Sequence, residues 1–519
     1  MPPAPIRPRS AKPDLECFSL RGFIEKLRDA DELDSRGSAV RLAEVARLLE
    51  GSAKAVLFGK VQGCEFPLAG NVMGSRERMA LAFGVDARQL RSEVSRRLEN
   101  DPEIVEVPRS AAPVQQVVLE GADVDLTSLP AHLHHGLDGG PYISAAMDFS
   151  INPETGWTNV GLRRLMLRGR SETGVDLVAP SDLRAIYQAS LARGESFPIS
   201  FVVGAHPIDY LAGAMRVPVD ELGLIASLRG APLPVVKSIT SEIRMPADAQ
   251  WVIEGRLDAA GYIEHEGPFG EVLGYYGGVK VNPVFRVTAI TRRRDAVFQT
   301  VTISGRNLAR TDSAQLITLR TEVLAWRALE SAIREPVAVY APPATGGYLN
   351  VRVAIRQRAP GEARNAIAAL FGSVANVKNV FVVDPDIDIF SDEQMEWALG
   401  TRFQPRRDLV CADGFRSSPL DPSLDAMQQG SKAGYDLTVP FWASDLELKV
   451  PEAPRFGERR FDSVRAALED GPKTFRDLME ALGSGDGREL VLALEQLRNS
   501  GELARSTADG RYALNARGK

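Results

Sequence analysis

The most regular hydrophobic pattern of the chain lies at residues 311–334. Its apolar positions recur at spacings of three and four residues: Leu316, Leu319, Val323 and Trp326. Such spacing places these side chains on one stripe of an α-helix. Asp312 or Ser313 can cap the start of that helix, and Pro336 stops it. The pattern predicts one long helix that connects two regions of different character and can serve as a dimer element.

Residues 114–304 show many short apolar runs that Gly and Pro interrupt. The runs that favour strands are 142–152, 160–167, 201–204, 251–258 and 284–292. Only two helical patterns, at 181–193 and 220–228, lie among them. Short strands with few helices between them favour an antiparallel barrel or sandwich over a doubly wound sheet.

The flanking regions mix both periodicities. Amphipathic helices are predicted at 20–33 and 39–49, and an alternating strand at 349–355 precedes helical and strand patterns typical of α/β structure. The predicted division is an N-terminal α/β region (1–110), a central split β-barrel-like domain (111–310), a connecting helix (311–335), an α/β domain (336–450), a linker (451–454) and a winged-helix-like extension (455–519). The fold class is therefore multi-domain, combining α+β and α/β parts.

Composition narrows the class of protein further. The chain of 519 residues has 44% hydrophobic and 25% charged residues, the mixture of an ordinary globular protein. A net charge of −6 gives no electrostatic reason to expect nucleic-acid binding. Three widely separated cysteines exclude a disulfide framework. Neither a signal peptide nor a membrane span is predicted, so we expect a cytoplasmic, folded, multi-domain protein.

The densest candidate chemistry is the segment Glu264-His265-Glu266-Gly267-Pro268-Phe269-Gly270-Glu271. Glu266 and Glu271 flank a Gly-Pro-Phe-Gly turn, which can direct both carboxylates into one pocket. Carboxylates held together in a desolvated pocket have raised and separated pKa values, as general acid–base catalysis requires. The alternative is a surface turn with two solvated acids.

A second signal is the polar strand that runs from Trp157 through Asn159 to Arg164. Gly161 within it predicts a β-bulge or a place where a ligand approaches the backbone. A bulge would bring Asn159 and Arg164 to one face despite their odd spacing. Arg164 could then pair with a pocket carboxylate or hold an anionic substrate. A structural Asn in a turn and an exposed arginine are the alternative.

Together these segments resemble the UbiD family of prenylated-FMN-dependent decarboxylases over residues 15–450. The motifs that carry the resemblance, in chain order, are Gly156-Trp157-x-Asn159-x-Gly161-x-x-Arg164, Pro218-Val219-Asp220-Glu221, Val235-Val236-Lys237, Glu266-Gly-Pro-Phe-Gly-Glu271, Asp384-Pro-Asp386-Ile-Asp388, Thr401-Arg402-Phe403 and Gly430-Ser431-Lys432. Each motif alone is a weak pattern. Their common order and spacing make chance agreement improbable.

The resemblance implies a catalytic network of Arg164, Glu266 and Glu271. By this resemblance Glu271 is the acid that protonates the decarboxylated carbon, and Arg164 with Glu266 orients the substrate and tunes that acid. Losing carbon dioxide from an sp² carbon requires an electron sink, which a prenylated flavin provides in the family. The implied reaction is reversible decarboxylation of an aromatic, heteroaromatic or α,β-unsaturated acid.

The family also implies cations and cofactor contacts. Asn159 and Glu221 match ligands of a divalent metal, usually manganese, that joins the protein to the cofactor phosphate. The third family ligand is commonly a histidine, and here the position is Asp182, which is an acceptable hard ligand but also a normal helix-start residue. The cofactor contacts implied by the resemblance are Trp157, Asn159, Arg164, Met215 beside a potassium site, and Lys432 at the phosphate.

The implied partners are a small carboxylic acid as substrate, a flavin prenyltransferase as cofactor supplier, and further copies of the chain in a homodimer or larger assembly. A homo-oligomer without nucleic acid or membrane contacts is the expectation. An ordinary FMN-dependent oxidoreductase on a split barrel is the alternative enzyme.

Three further signals are weaker. His132, His134 and His135 suggest a metal cluster, but no fourth ligand follows at a recognised spacing, so a pocket-lining loop or plain surface is favoured. The alternating acids 384–388 lack the glycine and glutamate of a calcium loop. The extension could indicate a DNA-binding regulator, but its presumed recognition helix at 488–499 is mostly apolar and carries acids. An oligomer contact or a cover over the active site is favoured there.

Overall fold

The computed structural model describes residues 14–215, 217–425, 429–440 and 459–515, which fall into two compact units divided between Thr438 and Val439. The predicted linker 451–454 lies outside the described residues. The first unit begins with α1 (Leu20–Asp29), β1 (Leu33–Arg36), α2 (Leu42–Glu50), β2 (Ala55–Phe58), β3 (Leu68–Gly70), α3 (Arg76–Phe83), α4 (Leu90–Arg97) and β4 (Ile104–Glu106). The two amphipathic helices predicted near the N-terminus are thus present, and each is shorter than its pattern at one end.

The central region is a closed antiparallel barrel. Its strands and helices are β5 (Val117–Glu120), β6 (Tyr142–Ile151), β7 (Thr158–Leu167), β8 (Glu172–Val175), α5 (Asp182–Ala192), β9 (Phe197–Val203), α6 (Pro207–Ala214), α7 (Glu221–Arg229), β10 (Leu233–Lys237), β11 (Arg244–Pro246), β12 (Trp251–Glu266), β13 (Phe269–Gly270), β14 (Tyr276–Gly277), β15 (Lys280–Arg292) and β16 (Phe298–Gln299). Six strands pair in the order β12-β9-β6-β7-β8-β15, and β15 returns to β12. The predicted barrel-like architecture is confirmed.

The barrel closes because its longest strands carry apolar side chains on the inner face. Phe149, Phe201 and Phe285 are fully buried, and the rings of the last two meet edge to face with centroids 4.8 Å apart. The polar residues Arg256 and Arg286 alternate with buried ones along β12 and β15. Alternation with a period of two is the pattern of a strand with one buried face.

The long helix predicted from the 3–4 spacing is α8 (Asp312–Ala332). Its N-cap is Thr311, whose hydroxyl accepts the Ala314 N–H, so the expectation that Asp312 or Ser313 caps it is wrong. Asp312 is instead buried and accepts the main-chain N–H groups of Met73 and Thr302, which links the helix start to the N-terminal region. Among the described residues, no helix is long and apolar enough to cross a membrane.

After α8 the chain forms an α/β layer. Its elements are β17 (Pro336–Tyr340), β18 (Asn350–Ile355), α9 (Glu362–Ser373), β19 (Asn379–Val383), α10 (Asp392–Arg402), α11 (Pro405–Asp408), β20 (Leu409–Phe415) and β21 (Gly430–Asp436). The sheet has the order β17-β18-β19-β21-β20, with parallel pairs in its centre. Helices α8 and α9 pack on it through Leu329, Ile367 and Leu370.

The second unit contains α12 (Val464–Glu469), α13 (Phe475–Leu482), α14 (Arg488–Asn499), β22 (Leu503–Arg505) and β23 (Tyr512–Leu514). Three helices followed by an antiparallel hairpin are the element order expected of a winged helix. A small core around Leu478, Leu490 and Leu494 holds them together. On α14 the exposed side chains include Val491 and Leu492 rather than a row of bases, which gives little attraction for phosphates.

Candidate active site

A cavity of about 910 Å³ lies in the first unit between the barrel and α8. Strand β7 lines it from Asn159 to Arg164, and the starts of α5 and α7 contribute Asp182 and Glu221. Glu271 lines the cavity as well. Candidate residues from segments more than 100 positions apart in the chain therefore share one concave site, the usual location of ligand chemistry.

The turn after β12 brings two carboxylates together, as one sequence interpretation expects. Glu266 is the last residue of β12, and Gly267, with a φ of 95°, reverses the chain direction before Phe269–Gly270 forms the short strand β13. Few residues other than glycine adopt that backbone conformation. Glu271 follows directly, and both glutamates are buried, Glu266 completely. The alternative of a solvated surface turn is wrong.

Arg164 joins both acids. Its Nε and Nη2 lie 2.9 and 3.2 Å from the two carboxylate oxygens of Glu266, and its Nη1 lies 3.0 Å from Oε1 of Glu271. The guanidinium also lies over the Phe269 ring, with its central carbon 4.6 Å from the ring centroid. Burial disfavours the charged form of Arg164. The attraction of Glu271 and the other carboxylates is larger than this burial effect, so the pKa of the guanidinium is raised. One arginine thus fixes the positions of two acids.

Sequence analysis missed two charged members of this cluster. Asp176, just after β8, accepts an ion-pair contact of 2.8 Å from Arg164 Nη2. Lys280, the first residue of β15, lies 2.9 Å from the same Asp176 oxygen and 3.5 Å from Oε1 of Glu271. Burial opposes ionisation of Asp176, yet Arg164 and Lys280 hold its pKa below the ordinary value. Neither residue belongs to a motif, so only the closure of the barrel reveals them.

Asn282 on β15 is a further polar member. Its amide Nδ2 lies 3.3 Å from Glu266 Oε2 and 3.5 Å from Asp176 Oδ1, and its Oδ1 accepts the Leu177 N–H. The side chain is fully buried, so these contacts satisfy an amide that would otherwise be costly to bury. The signal in the sequence was an asparagine at an apolar position of a strand.

The predicted bulge lies on another strand. Gly161 pairs in regular register with Asp148, so a bulge at Gly161 is wrong. The irregularity is on β6, where Ser144 and Ala145 stand opposite Arg164 alone. The other interpretation of Gly161 fits: a Cβ atom there would come within 2.7 Å of Asp148 Oδ1, and the residue lines the cavity.

The opposite end of the cavity is rich in negative charge. Asn159 directs its Nδ2 to Asp148 at 3.0 Å, so its Oδ1 is left for another partner. Glu221 accepts the Val160 N–H through Oε2. Burial, together with Asp148 and Asp182, raises the pKa of Glu221 to about 8, although the hydrogen bond from Val160 opposes this. The amide and carboxylate oxygens of Asn159, Glu221 and Asp182 are the hard donors that manganese or magnesium accepts.

Helix starts position these acids. Ser181 caps α5, which makes Asp182 its first residue, and Asp220 caps α7, which makes Glu221 its first. Asp220 also accepts the Thr158 N–H at 3.2 Å, which ties the α7 start to β7. Acids in the first turn of a helix are favoured by its dipole. The helix-start account of Asp182 therefore stands beside the ligand account, because Asp182 also lines the cavity.

The remaining cofactor candidates are distributed differently. Met215 ends α6 and lines the cavity, but Trp157 and Lys432 are not among the lining residues. The Trp157 carbonyl accepts the Asn152 N–H in the turn before β7. The Lys432 ammonium is buried and donates to the carbonyls of Phe371, Val374 and Ala375 at 2.9–3.4 Å. In this structure Lys432 thus stabilises the end of α9 instead of reaching the cavity.

The histidine cluster lines a second cavity of about 370 Å³. His132 and His134 are buried with stacked rings, and burial lowers the pKa of both, that of His132 to about 4. Among the described residues, the histidines are not part of any group of three or more His, Cys, Asp or Glu side chains arranged to hold a metal ion. The acids at 384–388 are ion-paired, Asp386 with Arg402 and Asp388 with Arg88, which is not the arrangement of a calcium loop.

Comparison with known sequences identifies the family. Residues 39–98, 105–307 and 314–437 match the N-terminal domain, the Rift-related domain and the C-terminal domain of 3-octaprenyl-4-hydroxybenzoate carboxy-lyase, UbiD. The matches cover more than half of the chain. The protein therefore belongs to the UbiD family of carboxy-lyases, as the sequence resemblance predicts.

Particular relatives agree with this assignment. Anhydromevalonate phosphate decarboxylase of Methanosarcina mazei is 30% identical over 81% of this chain and 96% of its own length. The UbiD-class enzyme HmfF of Pelotomaculum thermopropionicum, solved with FMN, is 32% identical with a TM-score of 0.80, covering 84% of this chain and 97% of HmfF. An evolved dimeric form of HmfF was solved with prFMN.

A third relative is 3,4-dihydroxybenzoic acid decarboxylase (AroY) of Klebsiella pneumoniae, solved in apo form. It is 28% identical, with a TM-score of 0.78, and the match covers 84% of this chain and 97% of AroY. These similarities favour a decarboxylase over the alternatives of an ordinary flavin oxidoreductase and a DNA-binding regulator.

Proposed function

We propose that the chain catalyses the reversible non-oxidative decarboxylation of an aromatic, heteroaromatic or α,β-unsaturated carboxylic acid with prenylated FMN, and that Glu271 is the proton donor. The observation that carries the proposal is the contact of Arg164 with both Glu266 and Glu271 at the wall of the 910 Å³ cavity. Aromatic or heteroaromatic acids are the first choice of substrate.

Glu271 is the acid best suited to hold and deliver a proton. Glu266 receives two hydrogen bonds from Arg164 and one from Asn282, so its carboxylate charge is well compensated. Glu271 receives one contact of 3.0 Å from Arg164 and a longer one of 3.5 Å from Lys280. Its second oxygen is free of protein hydrogen bonds among those found for the described residues. We therefore assign the transferable proton to Glu271, the less compensated acid of the pair.

The wall beside Glu271 suits an apolar, planar substrate. The apolar side chains that line the cavity include Phe269, Val272, Ile303, Leu316 and Ile317. They exclude water, which strengthens the electrostatic contacts of Arg164 and protects a developing carbanion from unselective protonation. Arg164 would orient the substrate carboxylate before carbon dioxide leaves. The relative AroY is named for an aromatic acid, 3,4-dihydroxybenzoic acid, which agrees with the first choice of substrate.

The residues at the other end of the cavity fit a divalent cation. The carboxylates of Asp148, Asp182 and Glu221 lie close together, and the guanidinium of Arg163 lies 3.3 Å from Asp148. Burial first, and then the neighbouring acids, raise the pKa of Glu221, and a bound cation would favour its ionised form. We propose that Asn159, Glu221 and Asp182 hold Mn²⁺, which would fasten the cofactor phosphate. Met215 would lie beside the flavin and a K⁺ site, and Lys432 would require a rearrangement to reach the phosphate.

Prenylated FMN, when bound, supplies the electron sink that decarboxylation at an sp² carbon requires. All other steps belong to the chain: Arg164 orients, the apolar wall excludes water, and Glu271 transfers the proton to the carbon that has lost carbon dioxide. In the reverse direction Glu271 accepts that proton. A flavin prenyltransferase would supply the cofactor, and a cytoplasmic homodimer or larger homo-oligomer is the expected assembly.

The test is coexpression with a flavin prenyltransferase, followed by absorbance and mass analysis of the purified protein and a screen of aryl and α,β-unsaturated acids. The expected result is carbon dioxide release without consumption of NAD(P)H. Oxidation of NAD(P)H with no carbon dioxide release would support the ordinary FMN oxidoreductase and overturn the proposal.

A further inference from the structure

Five ionisable groups form one cluster at the acid end of the cavity. Three are carboxylates and two are cations: Glu266, Glu271, Asp176, Arg164 and Lys280. If all were ionised, the cluster would carry one net negative charge. A buried excess of negative charge favours the uptake of one proton by a member carboxylate. The two members outside the Arg164, Glu266 and Glu271 network, Asp176 and Lys280, therefore affect which carboxylate takes it.

Asp176 competes with Glu271 for both cations. Arg164 Nη2 lies 2.8 Å from Asp176, while its Nη1 lies 3.0 Å from Glu271. Lys280 contacts the same Asp176 oxygen at 2.9 Å but reaches Glu271 only at 3.5 Å. Of these two acids, Asp176 thus has the closer cation contacts and remains ionised. Glu271 receives less compensation than it would if Asp176 were neutral.

We propose that Asp176 and Lys280 are positioning residues that set the proton affinity of Glu271 in opposite directions. Asp176 draws positive charge away from Glu271 and thereby keeps its proton in place. Lys280 adds positive charge beside Glu271 and limits how firmly the proton is held. The proposal rests on the proposed function insofar as Glu271 is the proton donor of the reaction, but the proton affinity itself can be measured without turnover.

The groups that face Glu271 come from several elements. Arg164 lies on β7, Glu266 at the end of β12, Lys280 at the start of β15 and Asp176 after β8. From the α/β layer, the Tyr348 hydroxyl interacts electrostatically with Glu271 and forms a hydrogen bond with the Ser418 hydroxyl. The Tyr348 pKa is raised, first by burial, so this group is neutral in the working range. Arg320 of α8 and Arg416 of the α/β layer also line the cavity, but the ion pairs of Glu271 found among the described residues are those with Arg164 and Lys280, so the charge count is that of the directly paired groups.

The test uses two substitutions that change the net charge of the cluster by one unit, one in each direction. Asp176→Asn leaves Glu271 facing two cations with one fewer competitor, so we expect Glu271 to lose its proton at a pH lower by on the order of one unit. Lys280→Met removes a cation, and we expect a shift of similar size to higher pH. The double variant restores the native count, and its value should return towards that of the native protein. Lys280→Arg keeps the charge and serves as the matched control.

Two readouts separate this inference from the proposed function. Infrared difference spectra, taken against Glu271→Gln in each background, follow the protonated carboxyl of Glu271 with pH in the protein without substrate. The basic limb of the kcat/KM profile with the substrate found above follows the same proton during turnover. Activity requires protonated Glu271, so the pH at which kcat/KM falls on the basic side should be lower for Asp176→Asn and higher for Lys280→Met.

The outcomes are distinct. Opposite infrared shifts that the double variant cancels support the inference, even if no acid is decarboxylated and the proposed function fails. Equal losses of activity in both single variants, with no opposite shifts by infrared, would overturn the inference while leaving the decarboxylase proposal intact. Circular dichroism and thermal unfolding verify folding, and Asp176→Ser replaces Asp176→Asn if that variant does not fold.

Discussion

The buried carboxylates at the two ends of the cavity have different charged neighbours. At the acid end, three carboxylates share two cations through contacts of 2.8–3.5 Å: Glu266, Glu271 and Asp176 with Arg164 and Lys280. At the other end, which we call the cation end, the carboxylates of Asp148, Asp182 and Glu221 lie together, and Arg163 pairs with Asp148 at 3.3 Å. Partial compensation by cations lets one acid of a cluster keep a proton, whereas a carboxylate must give up its proton to bind a metal ion. In the proposed function, proton transfer therefore belongs to one end and cofactor binding to the other.

The largest effect is expected from a substitution that removes the proton donor at the acid end and leaves the cation end unchanged. Glu271→Gln keeps the shape of the side chain but removes the transferable proton, so kcat should fall by about 10³-fold, within the usual range for a general acid. Flavin and metal content, measured by absorbance and elemental analysis, should stay near native values. Glu264→Gln, which changes an exposed acid on β12, is the matched control and should retain full activity. Near-native turnover of Glu271→Gln would remove the proton-donor assignment.

The next largest effect is expected from substitutions that remove proposed metal ligands at the cation end. Glu221→Ala or Asn159→Ala deletes a proposed metal ligand, so the purified protein should lose Mn²⁺ and flavin together. Elemental analysis and flavin absorbance of the same preparations measure this. The Glu271→Gln protein, with both ligands intact, is the comparison. Retention of a full flavin complement in either alanine variant would contradict the ligand assignment.

The pH dependence of metal binding gives a further test of the role proposed for the cation end. The pKa of Glu221 is raised to about 8 without a cation, because of burial and the neighbouring acids. Since Mn²⁺ binds only the ionised carboxylate, the proton must leave first. The apparent affinity should therefore rise by up to about tenfold per pH unit below pH 8 and level off above it. Calorimetry in buffers of different ionisation enthalpy should find close to one proton released at pH 7, and pH-independent binding would exclude this coupling.

The smallest effect compares two glycines, one at each end. A Cβ atom on Gly277 would lie 2.7 Å from Glu271 Oε1, and one on Gly161 would lie 2.7 Å from Asp148 Oδ1. Gly277→Ala should displace the proton donor and lower kcat by about tenfold with flavin retained. Gly161→Ala should lower flavin and metal content instead. Measuring kcat and flavin content for both variants tests the division, and identical behaviour of the two would argue against separate roles.

Most individual elements could be predicted because they depend on local periodicity. The 3–4 spacing of Leu316, Leu319 and Val323 predicted α8 to within two residues of its observed ends. Short apolar runs predicted β6 and β7, and alternation at 284–292 predicted most of β15. Strand β12 extends eight residues beyond its prediction because its outer half is mostly exposed and polar. The cap at Thr311 was missed because three neighbouring residues are all capable of capping, and tertiary contacts of Asp312 decided among them.

The sequence by itself determined the family and the chemical types at the site, because the motifs around Arg164, Glu266 and Glu271 specify which groups are present. Only the tertiary structure decided which groups compensate which charges. Asp176 and Lys280 belong to no motif, and barrel closure brings β8 and β15 beside β7 to form their ion pairs. The tertiary structure likewise directs Lys432 to the end of α9. Charge interactions act over a few ångströms through space, and sequence spacing does not specify those distances.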